Sequence, residues 1–120
     1  MTLEDKTNPN LISLVKDLKD QAREKDAPIW RDVAERLESP MKNWAEVNLS
    51  NIQRYAEDGD TVLVPGKVLG AGILDKKITV SAFKVSGSAK ESISEAGGEY
   101  LKIRELAERK PDGSEIKIMG

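Results

Sequence analysis

The spacing of apolar residues changes near Gly59 and divides the chain into two patterns. Before this glycine, apolar residues recur every three or four positions, as they do on one face of a helix. After it, short apolar runs rich in β-branched residues alternate with helical segments, an order typical of sheets with parallel pairs. We therefore predict an α/β (α+β) fold in one compact unit. A helical N-terminal part, residues 1–58, packs with a small α/β part, residues 59–120, which contains a mixed, partly parallel sheet.

Three helices are predicted in the N-terminal part. The first begins at Asn8-Pro9, because asparagine caps a helix and proline fits its first turn. The second follows Pro28 and is closed by Pro40. The third is short, begins at the capping residue Asn48, and is preceded by an irregular connection. The apolar positions predicted to face inward are Leu11, Leu14, Val15, Leu18 and Ala22, then Trp30, Val33, Ala34 and Leu37, then Leu49, Ile52 and Tyr55.

Four strands and two helices are predicted after Gly59. Pro65-Gly66 is expected to end the first strand, because both residues disfavour strand interiors. Ser86-Gly87-Ser88 is expected to turn into a helix, with Ser88 and Glu91 as its capping box. A shorter helix is expected to begin at Ile103. The predicted strands contain Val62–Val64, Ile78–Val85, Tyr100-Leu101 and Ile116–Ile118.

The residue types that are missing exclude most enzyme classes. The chain has 120 residues with no Cys and no His, so it lacks disulfides, thiolate nucleophiles, the commonest general base and most zinc sites. The ending Gly-Lys-Ser/Thr of a nucleotide-binding loop is also missing. No apolar run approaches the roughly 20 residues that span a bilayer, and the first six residues are polar, unlike a signal peptide. We expect a cytoplasmic protein without enzymatic activity, cofactor, metal, membrane or small-molecule substrate.

Positive charge is concentrated in one segment although the whole chain has a net charge of -2. Residues 1–60 carry 9 basic and 13 acidic side chains, whereas residues 61–120 carry 10 basic and 8 acidic ones. Five lysines but only one acid, Asp75, lie between residues 61 and 90. This segment is either a solvated, lysine-rich hairpin or a surface for a polyanion.

A glycine- and lysine-rich tract, Gly66–Lys77, lies within that segment. Glycine lets the backbone approach a partner closely, and lysine supplies a mobile charge for phosphate. The tract is predicted to form one loop that binds a polyanion through Lys67, Lys76 and Lys77, with Gly70 and Gly72 allowing close approach. The start of the following helix, with Ser86, Ser88 and Lys90, offers a possible phosphate seat, although capping explains Ser88 equally well.

Trp44 has two interpretations. A single large apolar residue more often packs inside a protein than it binds a ligand. Its neighbours Lys42 and Asn43 leave open a second interpretation, in which the indole contacts a nucleic acid.

Several short motifs occur in an order that resembles a known family. They are Lys6-Thr7-Asn8-Pro9, Trp-Arg-Asp-Val-Ala-Glu-Arg-Leu at 30–37, Ala-Glu-Val-Asn-Leu at 45–49, Val-Pro-Gly-Lys-Val-Leu-Gly at 64–70, Ser-Gly-Ser-Ala at 86–89 and Pro-Asp-Gly-Ser at 111–114. Together they closely resemble the archaeal large-subunit ribosomal protein family eighteen-e, a relative of bacterial large-subunit protein fifteen. The resemblance covers essentially the whole chain.

The resemblance implies a structural constituent of the large ribosomal subunit. Such a protein binds the large ribosomal RNA, lies beside other ribosomal proteins and has no catalytic activity. We expect phosphate contacts to dominate this binding. The alternative is a protein–protein adaptor that uses the apolar faces of the N-terminal helices. The candidate RNA-binding residues are Lys6, Thr7, Asn8, Arg31, Arg36, Lys42, Asn43, Asn48, Arg54, Lys67, Gly70, Gly72, Lys76, Lys77, Ser86, Ser88 and Lys90.

Overall fold

Five helices and five strands follow one another in the described part of the chain. A computed structural model describes residues 8–120. The elements are α1 (Pro9–Glu24), α2 (Pro28–Glu38), a 3₁₀ turn (Met41–Asn43), β1 (Ala45–Asn48), α3 (Leu49–Tyr55), β2 (Thr61–Leu69), β3 (Thr79–Val85), α4 (Gly87–Glu95), β4 (Glu99–Lys102), α5 (Ile103–Arg109) and β5 (Ile116–Ile118). The predicted α/β class with a helical N-terminal part is confirmed.

The described residues divide into two compact units. The first, here called the helical unit, contains residues 8–44 together with Arg104–Ser114. The second, the sheet unit, contains Ala45–Ile103 together with Glu115–Gly120. The chain passes from the first unit to the second, returns for α5 and the turn after it, and ends in the second. The predicted boundary at residue 58 stays a prediction.

The helical unit is built from the apolar stripes that the sequence predicts. Every inward residue predicted for α1 and α2 is buried. Asn8 caps α1, since its Oδ1 accepts hydrogen bonds from the N–H groups of Asn10 at 2.9 Å and Leu11 at 3.4 Å. The indole of Trp30 donates to the carbonyl of Pro111 at 2.8 Å, which ties α2 to the turn after α5.

Trp44 is part of the packing of the helical unit. It is 6% exposed, and its indole N–H donates to the carbonyl of Ser39 at 3.0 Å. This burial confirms the interpretation of Trp44 as a packing anchor. The alternative interpretation, in which it contacts a nucleic acid, is wrong because its ring is not accessible.

The sheet unit has the strand order β1–β2–β3–β4, and β5 also pairs with β2. β1 pairs with the second half of β2, from Gly66 to Leu69, and β5 pairs with its first half, from Thr61 to Leu63. Every pairing among the described strands is parallel, where the sequence predicted a mixed, partly parallel sheet. One consequence is that all the strands end at the same edge, here called the carboxyl edge.

The strand β2 does not end at Pro65-Gly66 as predicted. The register between β2 and β3 shifts between Val64 and Lys67, and the strand continues to Leu69. Such a bulge is where proline and glycine are tolerated within a sheet. Gly66 fits here because a Cβ at this position would lie 2.2 Å from the carbonyl oxygen of Ala45 on β1.

Three further local predictions are wrong. Tyr55, predicted to face inward, is 64% exposed because it is the last residue of α3. The cap of α4 is Ser86 rather than Ser88, and its Oγ accepts from the N–H of Ala89 at 3.2 Å. The segment that forms β1 was predicted to be an irregular connection. The strand was not recognised because only Val47 among its four residues is buried, which leaves no visible alternation.

Apolar residues from strands and helices form the core of the sheet unit. It contains Leu49 and Ile52 of α3, Ala89 and Ile93 of α4, and the β-branched residues of β2 and β3. Among residues 8–120, no helix is long and apolar enough to cross a membrane.

Candidate nucleic-acid interface

Segments that follow three different strands meet at the carboxyl edge of the sheet unit. The N–H of Ser86, after β3, donates to the carbonyl of Val68 on β2 at 3.0 Å. The N–H of Ser50, after β1, donates to the carbonyl of Ala71, after β2, at 3.1 Å. The carboxyl ends of parallel strands commonly form ligand sites, because loops and helix starts converge there. The predicted residues Asn48, Gly70, Gly72, Ser86 and Ser88 all lie at this edge.

Both glycines of this edge are packed against the first turns of helices. A Cβ at Gly70 would lie 2.2 Å from Oγ of Ser88 and 3.2 Å from the backbone N of Ala89. Gly72 has a φ of +97°, and a Cβ there would lie 2.5 Å from Cβ of Ser50 and 2.9 Å from its backbone N. Close packing within the protein therefore explains why both positions need glycine. Their predicted role in RNA contact stays a prediction.

Lys67 and Lys84 are register partners on β2 and β3. The following residues, Val68 and Val85, pack into or against the core. Lys84 is exposed and Lys67 is partly exposed. Glu46 is the register partner of Lys67 on its other side. Within residues 8–120, neither lysine side chain has a hydrogen bond or an ion pair.

Lys84 was not among the predicted site residues. Its position in the sequence is separated from Lys67 by a loop, and only the strand register places the two side by side. The sequence feature that could have identified Lys84 is the high lysine content of residues 61–90, to which it contributes.

The start of α4 carries the predicted residues Ser86, Ser88 and Lys90. The hydroxyl oxygens of the two serines are 3.4 Å apart, and Ser88 is exposed. The ammonium of Lys90 lies 5.3 Å from the ring centroid of Tyr100, within the range of a cation–π contact. Lys90 is exposed, so this contact leaves its ammonium accessible to solvent.

Lys76 and Lys77 lie away from the carboxyl edge, near the start of β3. The ammonium of Lys76 donates to the carbonyls of Gln53 at 2.8 Å and Ala56 at 2.7 Å, so it caps the end of α3. The N–H of Lys77 donates to Oδ1 of Asp58 at 2.6 Å, and its side chain is exposed. The prediction that Gly66–Lys77 forms a single loop is therefore wrong. The part of the tract up to Leu69 belongs to β2, and the part after it runs from the carboxyl edge back to the start of β3.

The predicted residues of the helical unit are separate from one another. Asn8 caps α1, whereas Lys42 and Asn43 are exposed in the 3₁₀ turn. Arg31 and Arg36 each lie near an acid one turn away in α2, Glu35 at 3.6 Å and Asp32 at 3.2 Å. Such exposed pairs are common on solvated helices. Lys6 and Thr7 lie outside the described residues.

Two predicted residues belong to α3. Asn48 precedes the helix, and its N–H donates to Oδ1 of Asn51 at 3.1 Å, which ties the end of β1 to the first turn. Arg54 is exposed, and its side chain has no hydrogen bond or ion pair within residues 8–120. Like Lys67 and Lys84, it is a cation that the described part of the chain leaves uncompensated.

The carboxylates of the sheet unit serve the fold. Asp60 accepts hydrogen bonds from the ammonium of Lys117 at 2.7 Å and from the N–H of Glu57 at 2.7 Å, and these donors lower its pKa below the ordinary value, Lys117 most. In the helical unit, the N–H and hydroxyl of Ser114 lower the pKa of Asp112 in the same way. A catalytic acid would need a raised pKa. Among the described residues, no group of three or more acidic side chains is placed to hold a metal ion.

The whole chain matches one protein family. A family model described as "Ribosomal protein 60S L18 and 50S L18e" matches residues 2–120. Large ribosomal subunit protein eL18 of Methanoregula boonei is 48% identical over 115 residues, which cover 96% of this chain and 95% of the relative. The protein of the same name from Halobacterium salinarum is 48% identical over 114 residues, 95% of this chain and 97% of the relative. The chain therefore belongs to the L18/L18e family of large-subunit ribosomal proteins.

Proposed function

We propose that this protein binds large-subunit ribosomal RNA mainly through phosphate contacts at the carboxyl edge of its sheet unit. The family is one of structural ribosomal proteins rather than enzymes, and membership locates the chain in the cytoplasm, within the ribosome. The RNA contact itself is our proposal. Neighbouring ribosomal proteins are the other partners that we propose.

The observation that carries the proposal is the pairing of Lys67 with Lys84. Like charges opposite each other on neighbouring strands are unfavourable, and within residues 8–120 neither ammonium has an ion pair. Glu46 adjoins Lys67 in register but does not come within ion-pair distance of it. A phosphate backbone supplies the missing negative charge, and neutralising phosphates releases counterions.

Other groups at the same edge extend this surface. Ser88 and Lys90 are exposed on α4, and serine and lysine are common donors to phosphate oxygens. Arg54 lies in the last turn of α3, the end farther from the carboxyl edge, whereas the first turn of the same helix abuts Gly72. We propose these residues as additional contacts. Lys76 is the weakest of the predicted contacts, because binding a phosphate would break its two hydrogen bonds to α3.

The adaptor alternative requires the apolar faces of the N-terminal helices to be accessible to a partner. The apolar stripes of α1 and α2 are buried. The large apolar residues that remain exposed in the helical unit, Ile12 and Met41, lie on different elements. No described feature favours the adaptor over RNA binding.

The test compares two double variants for binding to in vitro transcribed large-subunit ribosomal RNA. In the first, Lys67→Gln and Lys84→Gln remove the paired charges. In the second, Lys16→Gln and Lys25→Gln remove two exposed lysines of the helical unit and serve as the matched control. Affinity is measured at several salt concentrations.

We expect the first double variant to bind more weakly and to lower the salt slope by about 2, because each phosphate contact contributes about 1. The control should keep the wild-type slope. Equal slopes for both double variants would contradict the assignment of the carboxyl edge as the main RNA surface.

A further inference from the structure

The segment from Ala71 to Lys77 is fastened along α3 at several points. The carbonyl of Ala71 accepts from the N–H of Ser50 at 3.1 Å. Asp75 and Gln53 exchange two hydrogen bonds: the N–H of Asp75 donates to Oε1 at 3.0 Å, and Nε2 donates to Oδ1 at 2.6 Å. The ammonium of Lys76 holds the last carbonyls of α3. A segment with this many anchors has a defined conformation without any partner.

Ile73 projects from the middle of this fastened segment. It is 79% exposed, the largest exposure among the large apolar side chains of residues 8–120. Its neighbour Leu74 is buried in the core of the sheet unit, and Gly72 on its other side is packed against Ser50. Because both neighbours are held, Ile73 cannot turn inward. Burial of an apolar side chain against a partner is favourable in free energy. On a segment that is already ordered, binding does not carry the entropic cost of ordering that segment.

The surroundings of Ile73 fit a nucleotide. Ser50, Gln53 and Arg54 are spaced three and four residues apart, so they share the face of α3 along which the segment runs. Arg54 is exposed, has no ion pair within residues 8–120, and shares the face of α3 along which the segment of Ile73 runs. The acid of the segment, Asp75, is engaged by Gln53. Gly72 and Ser50 join this face to the carboxyl edge, so it continues the proposed phosphate-binding surface.

We propose that Ile73 packs against an unstacked base of the ribosomal RNA, while Arg54 binds the phosphate of that nucleotide. Unpaired nucleotides can turn their bases outward, and proteins bind such bases on aromatic rings and arginine planes together with cations. Apolar side chains also pack against bases that have left the stack. This proposal rests on the proposed function. It adds one contact that salt does not weaken to a surface otherwise dominated by phosphates.

The experiment uses the full chain and in vitro transcribed large-subunit ribosomal RNA. Ile73→Ser removes the apolar contact, and Ile12→Ser is the matched control, because Ile12 is also exposed, at 40%, but lies on α1. Arg54→Gln tests the phosphate partner. Affinity is measured against salt, and acylation of ribose 2′-hydroxyls reports which unpaired nucleotides become immobile on binding. Thermal melts of the free variants check that each is folded.

We expect Ile73→Ser to weaken binding about tenfold, which corresponds to about 1.4 kcal/mol, with the salt slope unchanged. Arg54→Gln should lower the slope by about 1. In both variants, the same unpaired nucleotide should stay mobile in the complex, and its ribose 2′-hydroxyl should therefore stay reactive to acylation. Ile12→Ser should behave as wild type.

Wild-type affinity and footprint in Ile73→Ser, with the wild-type protein still binding RNA, would overturn this inference alone. A variant that binds RNA normally but is not incorporated into reconstituted subunits would also overturn it, since the contact would then be with a protein. If the wild-type protein does not bind the RNA, the proposed function itself fails.

Discussion

At the scale of single residues, Gly70 and Gly72 fit against helix starts that leave no room for a side chain. The sequence predicted a close approach of another atom to the backbone at these positions, and the structure supplies atoms of the protein itself; the predicted contact with RNA stays a prediction. A pattern of glycines indicates that some atom comes near the backbone and does not say which one. The neighbours, Ser88 and Ser50, are 18 and 22 residues away in the chain and become visible only in the fold.

Gly72→Ala should lower the free energy of unfolding by about 2–4 kcal/mol, because alanine is strained at a positive φ and its Cβ would overlap Ser50. Gly87→Ala is the matched control: a Cβ added there would meet no atom within 4 Å, and its φ is not positive. The control should change stability by less than about 0.5 kcal/mol. Urea unfolding of both variants provides the measurement. Wild-type stability in Gly72→Ala would contradict the packing role of this glycine.

At the scale of elements, the structure divides a tract that looks continuous in the sequence. Gly66–Lys77 has the composition of one loop, yet Lys67 lies in a strand and Lys76 caps a helix. Proline and glycine normally end a strand, and the register shift that lets β2 continue depends on pairing with β3. Pairing partners are remote in sequence, so composition alone could not predict this continuation. The same pairing placed Lys84 beside Lys67.

The two lysines at the end of the tract differ in their contacts, and this difference can be tested. Lys76→Met should lower the free energy of unfolding by about 1–2 kcal/mol, because the last carbonyls of α3 lose a charged donor. Lys77→Met removes the neighbouring exposed charge and should change stability by less than about 0.5 kcal/mol. Thermal and urea unfolding of the two variants provide the comparison.

Binding to large-subunit ribosomal RNA distinguishes the structural role of Lys76 from a phosphate contact. A folded Lys76→Met variant should keep the wild-type salt slope. A loss of about 1 in the slope, with stability unchanged, would mean that Lys76 leaves α3 to bind phosphate.

At the scale of the whole molecule, most of the element types and the family were predictable, but the pairing of Lys67 with Lys84 at the proposed site was not. Strong helical spacing predicted α1 and α2, and the order of the motifs from Lys6 to Ser114 predicted the family that the comparisons confirm. β1 was missed because one buried residue, Val47, produces no pattern. The sequence contains no signal that α5, late in the chain, belongs to the same unit as α1 and α2. The site depends on the parallel register, which no local pattern encodes.

The central claim is that the folded protein binds large-subunit ribosomal RNA through phosphates. The most direct test is the thermal melting of the wild-type protein with this RNA, at low and high salt, compared with an equal mass of small-subunit ribosomal RNA. A ligand bound only by the folded state raises the melting temperature. We predict a larger rise with the large-subunit RNA, and a rise that shrinks as salt increases. Equal shifts with both RNAs, no shift, or a shift that salt does not reduce would contradict the account.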